Sequence, residues 1–234
     1  MKHTARSFFL PIILLLLLVN GCKNNNADNK INSEKPVEKT ADQKPVVVKK
    51  NILFFGNSLT AAYGLSPAQG FPNLIQKKLD SLGLNYRVTD AGVSGNTTAD
   101  GKGRIGWVLQ QPIDIFVLEL GGNDALRGLP VDVAKVNLQA ILTAVKTKYP
   151  AAKIVLAGMQ APPNLGKKYT SYFAKMYPEL ARENRCALIP FLLENVGGEI
   201  DLNQKDGIHP TASGQKIVAG NVWAVLKNLV LEAG

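Results

Sequence analysis

The apolar positions of this chain form short strand-like segments that alternate with longer segments in which apolar side chains recur every three or four residues. Short apolar segments that end at glycine or polar residues are typical of strands in a buried sheet. They cover residues 51–55, 86–91, 113–120, 153–159 and 186–191. The three- and four-residue period is typical of helices with one buried face, and it occurs near residues 71–82, 131–149, 171–184 and 211–231. Residues 97–109 are less periodic, and there we expect a loop with a short helix.

Five strands that alternate with helices predict a parallel sheet with helices on both faces. Parallel neighbours need crossover connections, and those helical crossovers cover the faces of the sheet. We therefore predict one domain over residues 50–234, an α/β fold with three α/β/α layers around a five-stranded parallel sheet. In open sheets of this class, ligands bind beyond the carboxyl ends of the strands. The residues that follow each strand are therefore the candidates for chemistry.

The start of the chain has the pattern of an export signal. Lys2 and Arg6 precede an apolar run over residues 8–19, which is shorter than the roughly 20 residues of a membrane-spanning helix. The run ends with a small residue before Cys22, a pattern that resembles the lipobox of a bacterial lipoprotein. We predict a lipoprotein signal peptide over residues 1–21 and lipidation of Cys22.

A polar segment connects this signal to the predicted domain. Residues 22–49 are rich in Asn, Lys and acidic side chains and contain few large apolar ones. Such a composition cannot offset the entropy cost of ordering, so we predict a flexible tether after the lipidated Cys22. The protein is thus expected to be an exported lipoprotein of the cell envelope, anchored to a membrane on the periplasmic side or at the cell surface.

Charge and composition argue against several partners and cofactors. The formal net charge is +9, but the lysines are dispersed without a dense basic stripe, so no nucleic acid partner is expected. The chain has two histidines, His3 and His209, and two cysteines, Cys22 and Cys186. Without the signal peptide and the lipidated cysteine, one of each remains, which is too few for a usual zinc site or a disulfide. We therefore expect no metal.

Residues that suit nucleophilic chemistry follow four of the five predicted strands. Ser58 comes after the first strand, a glycine-rich segment at 92–97 after the second, Asn123 after the third, and Asp206 and His209 after the fifth. A serine hydroxyl is a weak nucleophile until a base takes its proton, and His209 holds the one remaining imidazole. Asp206, three residues earlier, is placed to accept a hydrogen bond from that ring. Glycine-rich turns and an Asn side chain suit the binding of an oxyanion.

Each of these residues also has a purely structural explanation. Ser58 suits the cap of a turn or helix, Asn123 a turn after two glycines, and His209 a loop position before proline. Independent turns have no reason to place a nucleophile, a hydrogen-bond donor and a base on one rim of the sheet. The combination favours catalysis, whereas the single residues leave both explanations open.

The segments around these residues resemble the GDSL or SGNH hydrolases, in particular the branch of bacterial arylesterases, acyl thioesterases and lysophospholipases. The resemblance lies in FFGNSLTAAYGL at 54–65, DAGVSGNTT at 90–98, ELGGNDALRG at 119–128, DGIHP at 206–210 and residues 167–181. It implies the flavodoxin-like SGNH hydrolase fold with Ser58 as nucleophile, His209 as base and Asp206 as the residue that orients the base. It also implies an oxyanion hole formed by the backbone N–H groups of Ser58 and Gly95 and by the Asn123 side chain.

The sequence departs from the family at one position of the first block. Asn57 stands where the family usually has Asp, directly before Ser58. An amide keeps a side-chain acceptor but loses the charge, so we expect a local hydrogen bond to survive and the field at the site to weaken. Slower chemistry is expected rather than none.

The resemblance also implies a reaction, the hydrolysis of carboxylic esters or thioesters through an acyl-enzyme on Ser58. Aryl esters, medium acyl chains and lysophospholipids are the implied substrates. Leu59, Leu65, Leu126 and the loop at 160–169 are candidates to line an acyl pocket, although Leu59 and Leu126 equally suit the core. Two alternatives remain. One is an esterase that removes acetyl groups from a glycan, and the other is a non-catalytic lipoprotein that binds a ligand at the same rim.

Nucleotide-binding motifs are incomplete in this sequence. Residues 101–106 fit G-x-G-x-x-G, and Glu119 lies near the distance expected for a ribose-binding acid. No strand runs directly into Gly101, however, so the motif lacks the strand–turn–helix context that a dinucleotide needs. We expect no nucleotide and no other cofactor.

Overall fold

The order in which the strands pair determines which loops of this domain meet. The computed structural model describes residues 49–231. Its strands are β1 (Lys50–Gly56), β2 (Tyr86–Gly92), β3 (Ile115–Glu119), β4 (Lys153–Ala157) and β5 (Ala187–Ile189). They form one parallel sheet in the order β2-β1-β3-β4-β5. The chain leaves β1 for β2 on one side and then crosses to β3 on the other side of β1, which opens a crevice at the carboxyl ends of β1 and β3.

Helices cover the sheet on both sides. They are α1 (Phe71–Ser81), α2 (Thr98–Val108), α3 (Gly122–Leu126), α4 (Val131–Lys148), α5 (Gly166–Asn184) and α6 (Ala212–Leu231). α1 packs against α6, and α4 packs against both α2 and α5. The side chains of β3 are buried along its whole length, because helices cover both of its faces. The predicted three-layer α/β/α fold with a five-stranded parallel sheet is confirmed.

The register of the central strands brings three chain segments side by side at the carboxyl edge. Gly56 at the end of β1 pairs with Gly92 of β2 and with Glu119 of β3. The segments that follow these three residues carry Ser58, Gly95 and Asn123. The sheet thus assembles, from distant parts of the sequence, residues that follow three separate strands.

The expected loop with a short helix at 97–109 is wrong, because α2 is an 11-residue helix. Its start is fixed by a capping box in which the Asp100 carboxylate accepts from the Thr97 N–H at 2.8 Å, while the Asp100 N–H donates to Thr97 Oγ1 at 3.3 Å. Its buried face includes small residues. A Cβ added to Gly101 would lie 2.3 Å from Leu120 Cδ1. Because small residues occupy part of the helix face that contacts the sheet, the sequence of α2 does not show the apolar period of a helix.

Element ends differ from the expected ones in smaller ways. β3 and β5 are shorter than the apolar segments that predicted them, and α5 begins at Gly166, ahead of the expected residue 171. The Asn123 segment, which also suited a turn, forms the short helix α3. Within residues 49–231, no helix combines the length and the hydropathy that a bilayer crossing requires. The predicted signal peptide (1–21), Cys22 and the tether up to residue 48 lie outside the described residues and stay predictions.

Candidate active site

The turn after β1 holds Ser58 at the carboxyl edge of the sheet. The N–H groups of Ala61 and Tyr63 donate to the carbonyls of Asn57 and Ser58, each at 3.0 Å, and close the turn. A side chain at position 56 would not fit. A Cβ added to Gly56 would lie 2.0 Å from Thr60 Oγ1 and 2.4 Å from Glu119 Oε2. The glycine that ends β1 therefore allows the turn to fold back over the sheet.

His209 and Asp206 come from the loop before α6 and meet Ser58 across the edge. His209 Nε2 lies 2.8 Å from Ser58 Oγ, and His209 Nδ1 lies 2.7 Å from Asp206 Oδ2. The tautomer with its proton on Nδ1 donates to Asp206 and leaves Nε2 to accept from the serine hydroxyl. The structure thus brings together the three residues that the sequence predicted as nucleophile, base and orienting acid.

Backbone donors keep the Asp206 carboxylate charged. Its Oδ1 accepts from the N–H groups of His209 at 3.0 Å and Ile208 at 2.9 Å. The His209 N–H, then the imidazole and the Ile208 N–H hold the pKa of Asp206 down to about 2. The carboxylate is therefore available to the imidazole across the whole physiological pH range.

Gln204 ties the loop of the base to the turn of the nucleophile. Its Nε2 donates to the carbonyl of Tyr63 at 2.7 Å and to the carbonyl of Pro210 at 3.1 Å. Its backbone N–H donates to the carbonyl of His209 at 2.7 Å. The Tyr63 ring also lies against the imidazole, with 4.6 Å between the ring centroids of Tyr63 and His209. These contacts hold the imidazole in register with Ser58.

Besides the N–H of Ser58, the candidate oxyanion donors come from the segments that follow β2 and β3. Within residues 49–231, no backbone or side-chain acceptor meets the N–H groups of Ser58 and Gly95. Gly95 has a φ of 81°, a left-handed conformation, and its carbonyl accepts from Arg127 Nη2 at 3.0 Å. Asn123 Nδ2 donates one hydrogen to the carbonyl of Asn96 at 2.9 Å, which leaves its second hydrogen for a ligand.

A buried carboxylate below the nucleophile turn was not among the predicted site residues. Glu119, which is 1% exposed, accepts from the backbone N–H of Asn57 at 3.0 Å, from Asn57 Nδ2 at 2.7 Å and from Thr60 Oγ1 at 2.8 Å. The expected local hydrogen bond of Asn57 is present, since its Oδ1 accepts from the Leu59 N–H at 2.9 Å. The signal for Glu119 was available in the sequence: an acid closes the otherwise apolar strand IFVLE.

A cavity of about 560 Å³ opens in front of the serine. Leu59, Leu126 and residues 160–163 line it, in agreement with the expected acyl pocket, whereas Leu65 and residues 164–169 do not. Leu65 lies at the closing end of the turn after β1, where its N–H donates to the carbonyl of Ala62. The sequence did not indicate the other apolar side chains of the lining. These are Met159, Phe191, Leu193 and Ile208.

Metal binding finds no support in the part of the chain that the structure describes. Across residues 49–231, no group of three or more His, Cys, Asp or Glu side chains is arranged to hold a metal ion. The described chemistry rests on the serine, the imidazole, the carboxylates and the amide groups.

Known proteins show the same fold and sequence pattern. Residues 54–217 match the model of the GDSL-like Lipase/Acylhydrolase family. The chain is 41% identical over 182 residues to the esterase TesA of Pseudomonas aeruginosa, which covers 77% of this chain and 90% of that protein. It is 36% identical over 180 residues to the thioesterase 1/protease 1/lysophospholipase L1 of Escherichia coli, which covers 76% of this chain and 84% of that protein.

Solved structures of related enzymes have the same fold. A crystal structure of TesA aligns with a TM-score of 0.74 at 40% identity and covers 77% of this chain and 99% of that chain. The SGNH-hydrolase family esterase AlinE4 aligns with a TM-score of 0.65 at 45% identity and covers 78% of this chain and 97% of that chain. The chain therefore belongs to the GDSL-like lipase/acylhydrolase family and is an SGNH hydrolase.

Proposed function

We propose that this protein hydrolyses carboxylic esters or thioesters through a covalent acyl-enzyme on Ser58. The observation that carries the proposal is the continuous hydrogen-bonded series from Ser58 Oγ to His209 at 2.8 Å and from His209 to Asp206 at 2.7 Å. It stands at the mouth of a cavity lined mainly by apolar side chains. A serine, an imidazole and a carboxylate in this arrangement are the groups that acyl transfer requires.

The reaction proceeds in two halves. In the first, His209 Nε2 takes the proton of Ser58 as Oγ attacks the carbonyl carbon, and the imidazolium then returns that proton to the departing alcohol or thiol. In the second, His209 takes a proton from water, the resulting hydroxide attacks the acyl-enzyme, and Ser58 leaves with the proton. The products are the carboxylic acid and the regenerated serine, so the cycle needs no cofactor.

Three donors hold the negative charge that develops on the carbonyl oxygen. In this mechanism, the N–H groups of Ser58 and Gly95 and the free hydrogen of the Asn123 amide donate to that oxygen. Preorganised donors of this kind stabilise the tetrahedral intermediate, in which the charge is greatest, more than they stabilise the substrate.

The lining of the cavity supports an acyl chain as the occupant. Leu59, Leu126, Met159, Phe191 and Ile208 offer apolar contacts to methylene groups, whereas an acetyl group would leave most of this surface unused. The printed names of relatives, an esterase, an arylesterase and a thioesterase/lysophospholipase, support the same substrate class. We propose esters or thioesters of medium acyl chains, including lysophospholipids, as substrates.

Turnover of a chromogenic medium-chain ester tests the proposal. The wild-type protein should hydrolyse the ester, and Ser58→Ala and His209→Ala should each lower kcat by about a thousandfold or more. Circular dichroism of each variant serves as the control for folding. A folded wild-type protein that hydrolyses neither esters nor thioesters would favour the non-catalytic alternative.

We also propose that the protein is exported and lipidated on Cys22 after removal of residues 1–21. The charged start, the short apolar run and the small residue before the cysteine support this proposal. Mass spectrometry of the mature protein from membranes should find a diacylated or triacylated N-terminal cysteine, and Cys22→Ser should abolish the lipid. An intact N-terminus at Met1 in the membrane-associated protein would contradict it.

A further inference from the structure

Glu119 is a buried carboxylate that the proposed reaction does not use. It closes β3 opposite Gly56, lies below the floor of the site and does not line the cavity. Its donors all come from the turn that carries the nucleophile. They are the backbone N–H and Nδ2 of Asn57 and the backbone N–H and hydroxyl of Thr60. Burial of a charge is costly unless donors surround it, so these donors and the carboxylate depend on each other.

The side chain of Asn57 connects Glu119 to the serine. Its Nδ2 donates to Glu119 Oε1 at 2.7 Å, while its Oδ1 accepts from the Leu59 N–H at 2.9 Å and lies 3.4 Å from Ser58 Oγ. Only one orientation of the amide satisfies both ends, because the reverse orientation would point a donor at the Leu59 N–H and an acceptor at the carboxylate. The orientation of the amide therefore fixes the backbone on both sides of Ser58.

We infer that Glu119 is a positioning residue for Ser58 that acts through the Asn57 amide, and that this amide supplies a donor where a carboxyl group would have to share a proton with Glu119. The inference rests on the proposed role of Ser58 as nucleophile. Glu119 contacts no reacting atom, and its effect is to hold the turn in the conformation that aims Oγ at His209.

The surroundings of Glu119 fit a carboxylate whose acceptors are all occupied. Burial raises its pKa to about 7, and the hydrogen bonds from Asn57 and Thr60 oppose that rise. The charge of Glu119 also acts on Arg104 of α2 and Tyr177 of α5, and it favours the protonated form of both groups. A carboxyl group at position 57 would face Glu119 where 2.7 Å now separates Asn57 Nδ2 from Glu119 Oε1. Two carboxyl groups at such a short distance must share a proton.

Three variants separate this role from general destabilisation: Glu119→Gln, Asn57→Asp and the double variant that combines them. All partners of Glu119 are hydrogen-bond donors, and Glu119→Gln introduces an NH₂ group that is itself a donor. Whichever way this amide points, its NH₂ group faces another donor, so at least one buried hydrogen bond is lost. The double variant restores one donor and one acceptor between the two positions, with their direction reversed. Glu179→Gln is a matched control, because it removes a carboxylate from the surface pair of Glu179 with Lys135.

The kinetic measurement is kcat and KM for a soluble chromogenic ester. We expect Glu119→Gln to lower kcat by about tenfold or more with little change in KM, since it leaves a buried donor unpaired. The double variant should recover most of that loss, and Glu179→Gln should retain wild-type kcat. A Glu119→Gln protein with wild-type kcat, or a double variant slower than either single one, would overturn the inference.

The second measurement is the pH dependence of Asn57→Asp. Between the ordinary carboxyl pKa and the raised pKa of the pair, the folded protein binds more protons than the unfolded chain, so stability falls as pH rises. The kcat and thermal stability of Asn57→Asp, relative to wild type, should therefore fall between about pH 6 and about pH 9, with kcat decreasing about tenfold. A ratio that stays constant with pH would overturn the inference, and this arm does not depend on whether Glu119→Gln folds.

The two proposals fail in different ways. If the wild-type protein lacks ester and thioester turnover, the proposed function fails. The pH dependence of thermal stability in Asn57→Asp still tests the coupling of positions 57 and 119, because it needs no turnover. If wild-type turnover depends on Ser58 but the Asn57→Asp ratio is flat, the positioning role alone fails.

Discussion

At the scale of single residues, the site depends on a few polar atoms held by the backbone. Asp206 receives two backbone N–H groups besides the imidazole, and Gly95 receives Arg127 on its carbonyl. In each case a hydrogen bond outside the reacting atoms orients the group that would meet the substrate or the base. Changes at these atoms should therefore affect the rate more than the fold.

Asn123→Ala should lower kcat by about a hundredfold or more, because it removes one donor, worth about 3 to 4 kcal/mol, from the developing oxyanion. KM and the melting temperature should change little, since the lost hydrogen bond to the carbonyl of Asn96 lies on a partly exposed rim. Steady-state kinetics and thermal unfolding of the same preparation provide the measurement. Wild-type turnover in a folded Asn123→Ala protein would contradict the oxyanion role.

The stability contribution of Asp206 should vanish in acid. The His209 N–H, the imidazole and the Ile208 N–H lower the pKa of Asp206 from its ordinary 3.8 to about 2 in the folded protein. A group with a lowered pKa in the folded state stabilises that state above its unfolded pKa, and the contribution is lost as pH falls through the folded value. The stability difference between wild type and Asp206→Asn should shrink as pH falls from about 5 towards about 2.

Denaturant titrations of both proteins across that pH range provide the measurement. A difference that stays constant or grows in acid would show that the carboxylate is not held in its charged form by these donors. The same substitution should lower kcat by about a thousandfold or more at neutral pH, because the imidazole loses the group that fixes its tautomer.

At the scale of elements, close contacts decide where secondary structure and site residues lie. Gly56 ends β1 where Glu119 and Thr60 leave no room for a Cβ, and Gly101 lets α2 approach the sheet. Both positions require glycine because of close packing, and the pattern of apolar residues in the sequence does not show this requirement.

Gly56→Ala should destabilise the domain by about 1 to 3 kcal/mol, because the added methyl overlaps the Thr60 hydroxyl and the Glu119 carboxylate. Gly103→Ala in α2 is the matched control, since a Cβ there meets no atom within 4 Å. The control should stabilise the domain by about 0.5 to 1 kcal/mol through helix propensity. Denaturant unfolding compares the two, and equal effects of both substitutions would contradict the packing argument.

Sequence patterns predicted the elements that have a clear run or period of apolar residues. They did not predict the features that depend on close contacts between distant segments. Continuous apolar runs gave β1, β3 and β4, because these strands are buried on both faces. The length of α2 was underestimated because Gly101 and Thr98 lie on its buried face, where only large apolar side chains would show a helical period. Glu119 was missed as a site residue although the sequence shows an acid at the end of an apolar strand. Its hydrogen-bond partners lie on a segment about sixty residues away, as with Asn57, and a linear pattern does not show such partners.

At the scale of the whole molecule, the strand order converts scattered motifs into one site. β1 and β3 are neighbours in the sheet, and the chain reaches the loop of Asp206 and His209 only after completing β5. The predicted triad residues meet as expected, whereas the sequence predicted only part of the lining of the acyl pocket. Leu65 was wrongly included, and Phe191 and Leu193, which follow β5, were absent from the expectation.

Substrate preference should follow the apolar cavity. Each methylene that the cavity buries contributes up to about 0.8 kcal/mol, so kcat/KM should rise by about tenfold or more from acetyl to octanoyl esters. A series of p-nitrophenyl esters of increasing chain length measures this preference. Activity confined to acetyl esters would instead favour an esterase that acts on acetylated glycans.

Mapping the adduct of a fluorophosphonate probe tests the central claim most directly, because such probes react with serines that a neighbouring base activates. We expect one adduct, on the peptide that contains Ser58, which is lost in Ser58→Ala and strongly reduced in His209→Ala. A folded wild-type protein that never reacts, or an adduct on another residue, would contradict it.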